Sequence, residues 1–484
     1  MFRRKWSALP EDPQFESDFK SLGYFINKDD EIRSIENEDN YYKFFLDRNP
    51  RINDRQRFAL NMAVQAELRQ RLTNLGLLKL TLPLGADPSS SPNLPILVTP
   101  GIREKSRVVI IFGETHQDLG VLAHRVIDGP GGIDKGSMVS IVKALLQRRS
   151  SPTDPSPPGI ILANMGELVW WPEGKRTLTR ISFDWSPMRS AAHLGNYVDP
   201  EVNFIHGNEN PLAHVKYIFE QVVPTHVNPD AGLDIIGLGD GADIVETYLN
   251  STKIWNRVGE RINCFASVGG QFPEWDVKCE GLRQFLKDRT RAYVPSTEPL
   301  DLILADPLGN PNTTTFTSLG CPVFSAGHAE HVEMLFITSH QIVLDWLDEV
   351  AATPPEQKPY MNPTFTILFS ETERESDTWA DEGKGSAETP AMEDSLSPKV
   401  AEVSGCEGNK ADATGGLEDN QPVAAGGQEK AVARDDVGSG PVAECEDGSA
   451  ARNTEIEQSK AFQKLVIRPK KTENADEDQE DGKP

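Results

Sequence analysis

The residues with the most chemical content are Asp234-Ile-Ile-Gly-Leu-Gly-Asp-Gly-Ala242. An apolar run enters a tight glycine-rich turn and leaves it through helix-compatible residues. That is the setting of the G-x-S-x-G nucleophile elbow, whose small flanking residues permit a strained turn that lifts a nucleophile to a helix N-terminus. The matching positions are Gly237, Leu238, Gly239, Asp240 and Gly241. The nucleophile's place therefore falls to Gly239, which has no side chain, and a catalytic triad cannot run without its first member. Two other chemistries fit less well. Gly237-x-Gly239-x-x-Ala242 formally matches a dinucleotide fingerprint, but that motif wants an acidic residue at the end of the next strand to hold a ribose. The next strand ends Ala266-Ser-Val-Gly-Gly270 instead. A carboxylate nucleophile at Asp240 would put Leu238 where a small residue is required.

Ala326-Gly-His-Ala-Glu-His331 follows the apolar run Pro322–Ser325 and precedes a long amphipathic pattern. An elbow's general base is often presented in the loop after the last strand, so His328 and His331 are the candidate imidazoles. A capping or surface role suits either one equally. No single acid stands out to orient such a base, because Asp276, Glu280, Asp288, Asp301 and Asp306 all lie in the intervening stretch. Phe112-Gly-Glu-Thr115 occupies the place of an oxyanion loop. His116 and His124, like His206 and His214, are eight apart, a poor spacing for metal ligation, and no H-E-x-x-H, P-loop or EF-hand pattern occurs. No metal and no cofactor are expected. Trp170-Trp171-Pro172 reads as a packing or partner-contact cluster.

These residues need elements to position them. Leu22–Ile26 reads as a short strand, and Arg55–Leu75 has helical spacing closed by Gly76. Leu78–Leu84, Leu94–Thr99 and Arg107–Phe112 are β-prone. The last is apolar without interruption from Val108, as in a strand buried on both faces. Helix and strand then alternate: Gly136–Leu146, Gly159–Ala163, Ala213–Val222, Leu233–Gly237, Ala242–Leu249, Ile262–Val268, Pro322–Ser325 and Val332–Val350. Such alternation predicts an α/β fold: a doubly wound, mostly parallel sheet of α/β-hydrolase-like type with a degenerate elbow, and an antiparallel edge from the leading strands. Thr364–Phe369 is a last β-prone run, expected to dock.

Composition sets the boundaries. Residues 1–17 read as a leader, 18–355 as the α/β domain, 356–370 as a docking segment and 371–484 as an acidic tail. The tail carries 28 acidic against 13 basic residues, more than half of the chain's net −25, and its aromatics are Trp379 and Phe462. It lacks the apolar area to offset its conformational entropy and is expected to be disordered. Within it, Ala461–Lys471 groups apolar and basic residues as a docking or nuclear-import candidate. The acidic balance argues against gripping nucleic acid by bulk charge, leaving a local basic patch as the route for any direct RNA contact. Five scattered cysteines without a C-x-x-C pair fit a reducing compartment, and no run reaches the length of a membrane span. The expected location is nuclear, cytoplasmic or both, with no membrane.

Leu22-Gly-Tyr-Phe-Ile-Asn27, Ile32-Arg-Ser-Ile35, the Asn53–Leu75 helix and Leu78–Pro83 resemble the N-terminal part of the fungal Argonaute-binding protein two domain. Phe204-Ile-His-Gly-Asn-Glu209, Tyr217–Pro224, the elbow and Gly320-Cys-Pro-Val-Phe-Ser325 resemble its central and C-terminal parts. The resemblance spans Phe19 to Ala351. It implies a stand-alone relative of domains found in a small-RNA chaperone complex that acts before heterochromatin assembly, and of a domain that follows the catalytic domain of fungal class II histone deacetylases. Argonaute-type or chromatin-silencing proteins are the implied partners. Some relatives keep a serine in the elbow, and Gly239 departs from them. The expected role is a non-catalytic interaction module, a pseudo-hydrolase whose pocket candidates are Gly237, Gly239, Asp240, Gly241, His328 and His331. The alternative is an esterase-type hydrolase with a displaced nucleophile such as Asp240.

Overall fold

The computed structural model describes residues 9–87, 91–193, 195–310, 318–354 and 357–367. The acidic tail from residue 371, with Ala461–Lys471, lies outside the described residues. In chain order the strands are β1 (Tyr24–Ile26), β2 (Ile32–Ser34), β3 (Leu78–Leu82), β4 (Leu94–Val98), β5 (Arg107–Phe112), β6 (Gly159–Ala163), β7 (Val169–Trp171), β8 (Arg176–Leu178), β9 (Gly232–Leu238), β10 (Ile262–Val268), β11 (Thr290–Val294), β12 (Ile303–Ala305) and β13 (Val323–Ser325). Nine of them form one sheet in the order β12-β13-β11-β10-β9-β5-β6-β4-β3. The run from β6 through β5, β9, β10 and β11 to β13 is parallel. Strands β3 and β4 form the expected antiparallel edge. The opposite edge is antiparallel as well, because β12 turns back on β13.

Alternation along the central strands makes the sheet two-sided. Val109 and Ile111 of β5 join a core with Leu60, Leu68, Ile141 and Leu344, whereas Val108, Ile110 and Phe112 join the opposite core with Val215, Val245 and Leu282. The first face is covered by helices Pro50–Asn74, Met138–Leu146 and Val332–Ala351. The second is covered by Pro211–Tyr217, Asp240–Leu249 and Glu280–Arg289. All six residues of β5 are buried, and each large aliphatic among them contributes about 1.5–3 kcal/mol by leaving water. The segment Ala213–Val222, read as one helix, is α-helical only to Tyr217 and then opens into a π turn over Ile218–Val222.

At the starting ends of the central strands, charges are closely paired. Arg107 Nε donates to Asp234 Oδ2 at 2.6 Å, and its Nη1 donates to Asp348 at 3.0 Å. Asn263 Nδ2 donates to the other Asp234 oxygen at 2.9 Å, and Arg148 completes Asp348 at 2.8 Å. The stretch expected as a leader is partly built into the fold. Asp12 is buried, ion-paired to Arg51 and Arg55, and accepts the Met188 amide. At the other end Phe365 packs edge-on against Phe324 at 5.2 Å, and Tyr360 donates to Glu349. Of the β-prone run Thr364–Phe369, the part to Ile367 is described, and it forms no strand.

Candidate functional site

The elbow lies at the end of β9, fifth of the nine strands, at the point where the chain's order about β5 reverses and ligand clefts commonly open. Gly239 has φ +51° and ψ −131°, a conformation L side chains rarely adopt, and the helix Asp240–Leu249 starts at once. Its amide donates to the Val268 carbonyl at 2.8 Å, which fixes the turn to β10. The flanking glycines are required by close approach. A Cβ on Gly237 would lie 2.6 Å from Ala242 Cα, and one on Gly241 would run into the Gly113 carbonyl oxygen. The turn therefore keeps both the strain and the crowding of a nucleophile elbow.

What fills the nucleophile's place is Glu114. A Cβ added at Gly239 would lie 2.7 Å from Glu114 Oε1 and 2.9 Å from its Cγ. Glu114 is 8% exposed, and Oε2 accepts no hydrogen bond; the closest basic group is His116 Nε2 at 3.4 Å. Burial pushes its carboxyl up to about 7, with His116 pulling it down and Asp240 and Glu333 adding to the rise. The residue thus spends much of the neutral pH range protonated. Beside it is a cavity of about 10 Å³, lined by Glu114, Gln117, Leu238, Val332, Glu333 and Phe336, the space of roughly one water.

Asp240 faces the oxyanion loop instead of a cleft. Its Oδ1 accepts the Thr115 amide at 3.0 Å, and its Oδ2 accepts the Thr115 hydroxyl in a short bond. Next along the helix, Asp243 accepts the Gln271 amide at 2.7 Å, and burial raises it to about 6. Burial and then Asp243 hold the fully enclosed Glu246 well above the ordinary carboxyl range. An acidic helix start with Glu114 lying against Gly239 leaves no seat for a pyrophosphate, so the dinucleotide reading fails on charge and on space.

The histidine loop arrives over the elbow, but an imidazole does not lead. A Cβ on Gly269 would lie 2.8 Å from Val332 Cγ1 and 3.7 Å from Gly239 Cα, so Val332 stands across a single glycine from the elbow. His328 and His331 are absent from the cavity wall. Their rings are 5.7 Å apart, His328 Nε2 is buried without a hydrogen bond, and His331 Nε2 meets the Arg125 guanidinium. None of the five acids in the stretch before β13 hydrogen-bonds to His328 Nε2. The structure places Gly237, Gly239, Asp240 and Gly241 in one turn, and Glu114 where neither histidine reaches. Glu114 escaped the sequence reading, although its loop, Phe112-Gly-Glu-Thr115, was the one signal available. His214 is a satisfied core residue, its Nδ1 donating to Asn208 Oδ1 and its Nε2 accepting the Asn164 amide.

Strand order, elbow turn and terminal helix define an α/β-hydrolase-like fold with glycine, Gly239, at the tip of the elbow. The Arb2 domain model matches residues 15–300, well over half of the chain. The chain belongs to the Arb2 domain family, that of the Argonaute-binding protein. No curated protein matches it in sequence. Among solved structures it is similar to the esterase LipW from Mycobacterium marinum, at 9% identity and a TM-score of 0.23, covering 67% of this chain and 71% of that one. It is also similar to brefeldin A esterase, a bacterial homologue of human hormone-sensitive lipase, at 10% identity and a TM-score of 0.25, covering 60% of this chain and 83% of the esterase. Among the described residues no helix is long and apolar enough to cross a membrane.

Proposed function

We propose that this chain is a non-catalytic protein-interaction module of small-RNA and heterochromatin silencing, with Argonaute-type or chromatin-silencing proteins as partners in the nucleus, the cytoplasm or both. The family supports the silencing context. The observation that carries the non-catalytic part is the Glu114 carboxyl lying against Gly239, in the space a serine hydroxyl would need. Acyl transfer requires a nucleophile with a base in reach and donors aimed at the developing oxyanion. Here the base is displaced, and the remaining space is about 10 Å³.

The alternative, an esterase with Asp240 as nucleophile, is disfavoured because Thr115 holds both Asp240 oxygens. Esterase profiling of the full chain beside its Asp240→Asn variant separates the two readings. The expected result is no turnover of short-chain esters by either protein. Robust wild-type turnover lost in the variant would overturn the interaction-module reading. Native-extract pull-down is expected to recover an Argonaute or a chromatin-silencing subunit, equally with wild type and Asp240→Asn. Recovery of neither class would defeat the partner assignment.

A further inference from the structure

The nine-stranded sheet has two margins, and they are finished differently. At β12 the margin is tended by its own chain: Asn310 Nδ2 donates to the Leu304 carbonyl at 2.9 Å, and Asp306 bridges to Gly309 just beyond the strand. At β3 the inner side pairs with β4 along the whole of Leu78–Leu82. Among the described residues nothing hydrogen-bonds to its outer side. The apolar cover also thins towards this margin. Leu82 is enclosed in the core, Leu80 is half-buried against it, and Leu78 is 52% exposed. Open strands are commonly blunted by proline, a bulge or charge. Here there is no proline, the register with β4 is unbroken, and the one charge is Lys79.

An open margin accepts an extended segment, whose backbone supplies affinity and whose alternate side chains supply specificity. The chain carries one such segment outside the described residues. From residue 371 on, Phe462-Gln-Lys-Leu-Val-Ile467 is the only stretch with four large apolar residues in six, and Phe, Val and Ile favour strands. Its tether is long enough. Phe365, near the end of the described chain, packs on Phe324 of β13. From β13 to β3 is seven steps across the sheet, about 34 Å at the usual strand spacing. Residues 368–460 span about 50 Å even as a random coil. Tethering of that length places the run at the margin at an effective concentration on the order of 1 mM.

Charge sets the direction. The start of β3 is basic: partial burial, then Arg69 and Arg176, lower the Lys79 ammonium below its ordinary value, with Glu167 opposing. Asp87 follows the far end of the strand. The tail has the opposite order, with Glu455 and Glu457 before the run and Arg468, Lys470 and Lys471 after it. A parallel alignment sets each end against opposite charge, and an antiparallel one sets like against like.

We propose that residues 461–467 add a tenth strand to the sheet, paired in parallel with the outer side of β3. Amide hydrogen exchange of the full chain tests this, read at residues 78–82 and 461–467. Consecutive residues of a strand point their amides to opposite sides, so Leu465→Pro combined with Val466→Pro removes a bond to β3 in either register. The expected result is that the outward amides of residues 78–82 exchange at least about tenfold faster in this double variant than in wild type. A synthetic peptide of residues 454–471 should restore their protection, and a scrambled peptide should not. Lys79→Glu should weaken the protection, and adding Glu455→Lys with Glu457→Lys should restore it. Equal exchange of residues 78–82 in wild type and double variant would overturn the proposal. Protection that persists in the double variant and grows with protein concentration would also overturn it, because a second copy would then hold the margin. Protection strengthened by Lys79→Glu would overturn the parallel alignment.

Discussion

The two ends of strands β5 and β9 are built on opposite electrostatic terms. At their starts, Arg107, Asp234, Asn263, Asp348 and Arg148 interlock so that each carboxylate meets a cation or an amide. At their ends Glu114, Asp240, Asp243 and Glu246 gather around one turn, and among the described residues none of them is ion-paired to Lys or Arg. Packing alone asks for the first arrangement, because a buried ion pair tolerates no missing partner. It does not ask for the second, where raised carboxyls and a strained glycine coincide. Perturbed groups and strain often mark where a fold carries function, and the raised carboxyls and the strained glycine of this sheet lie together at the carboxyl ends of its strands. The contrast separates scaffold from site within two strands.

Breaking the paired end has the largest expected effect. Arg107→Met strands Asp234 in the core and is expected to cost about 3–5 kcal/mol, read from the urea midpoint at pH 7. A loss below about 1 kcal/mol would mean that the pairing is not what holds that end. At the acidic end the sign is reversed. The Glu114 carboxyl is raised from 4.5 to about 7, so its contribution to stability is full below pH 4.5 and is lost as pH climbs through 7. Glu114→Gln removes that loss and is expected to stabilise the protein at pH 8 by about 3 kcal/mol relative to wild type, at about 1.4 kcal/mol per pKa unit. Near pH 4 the two should match; a parallel offset at both pH values would refute the protonation account. Gly239→Ser, which completes G-x-S-x-G, meets a positive φ and the Glu114 side chain together, for an expected loss of about 2 kcal/mol without gain of esterase activity. In a Glu114→Ala background the loss should shrink by about 1 kcal/mol, and additivity would show that the two residues do not touch. Thr115→Val, which deletes the hydroxyl bond to Asp240, is the smallest change, about 1 kcal/mol by the same urea measurement.

Much of this architecture is legible in the chain because local pattern and tertiary role coincide. Arg107–Phe112 is apolar from its second residue on and becomes a doubly covered central strand. Glycines at 237 and 241 are dictated by contacts of the elbow with its own helix and with the Gly113 loop. Where the two diverge, the sequence is silent. Thr290-Arg-Ala-Tyr-Val294 has a charged second residue and no apolar run, yet β11 is fully buried. Arg291 is accommodated there by Tyr360 and by the rings of Phe324, Trp346 and Phe365, all from far along the chain. Glu114 is hidden for the same reason: a loop glutamate reads as solvated until Val332 and Phe336, more than two hundred residues on, close over it. His328 shows the reverse, since its place in the order of elements was legible, while the direction and partners of its ring were not.

The pairing of β11 with β13 also fixes where this protein can be cut. The family match ends at residue 300, before β12, β13 and the helix Val332–Ala351. A fragment trimmed to that match would turn β11, with every residue buried, into an uncovered margin of unpaired amides and carbonyls. Such margins recruit strands from other molecules. Its opening would also lack Asp12, leaving Arg51 and Arg55 without their shared carboxylate. The shortest fragment that remains dispersed in solution should begin before Asp12 and extend past Phe365, so the independently handled unit is longer at both ends than the region by which the family is recognised.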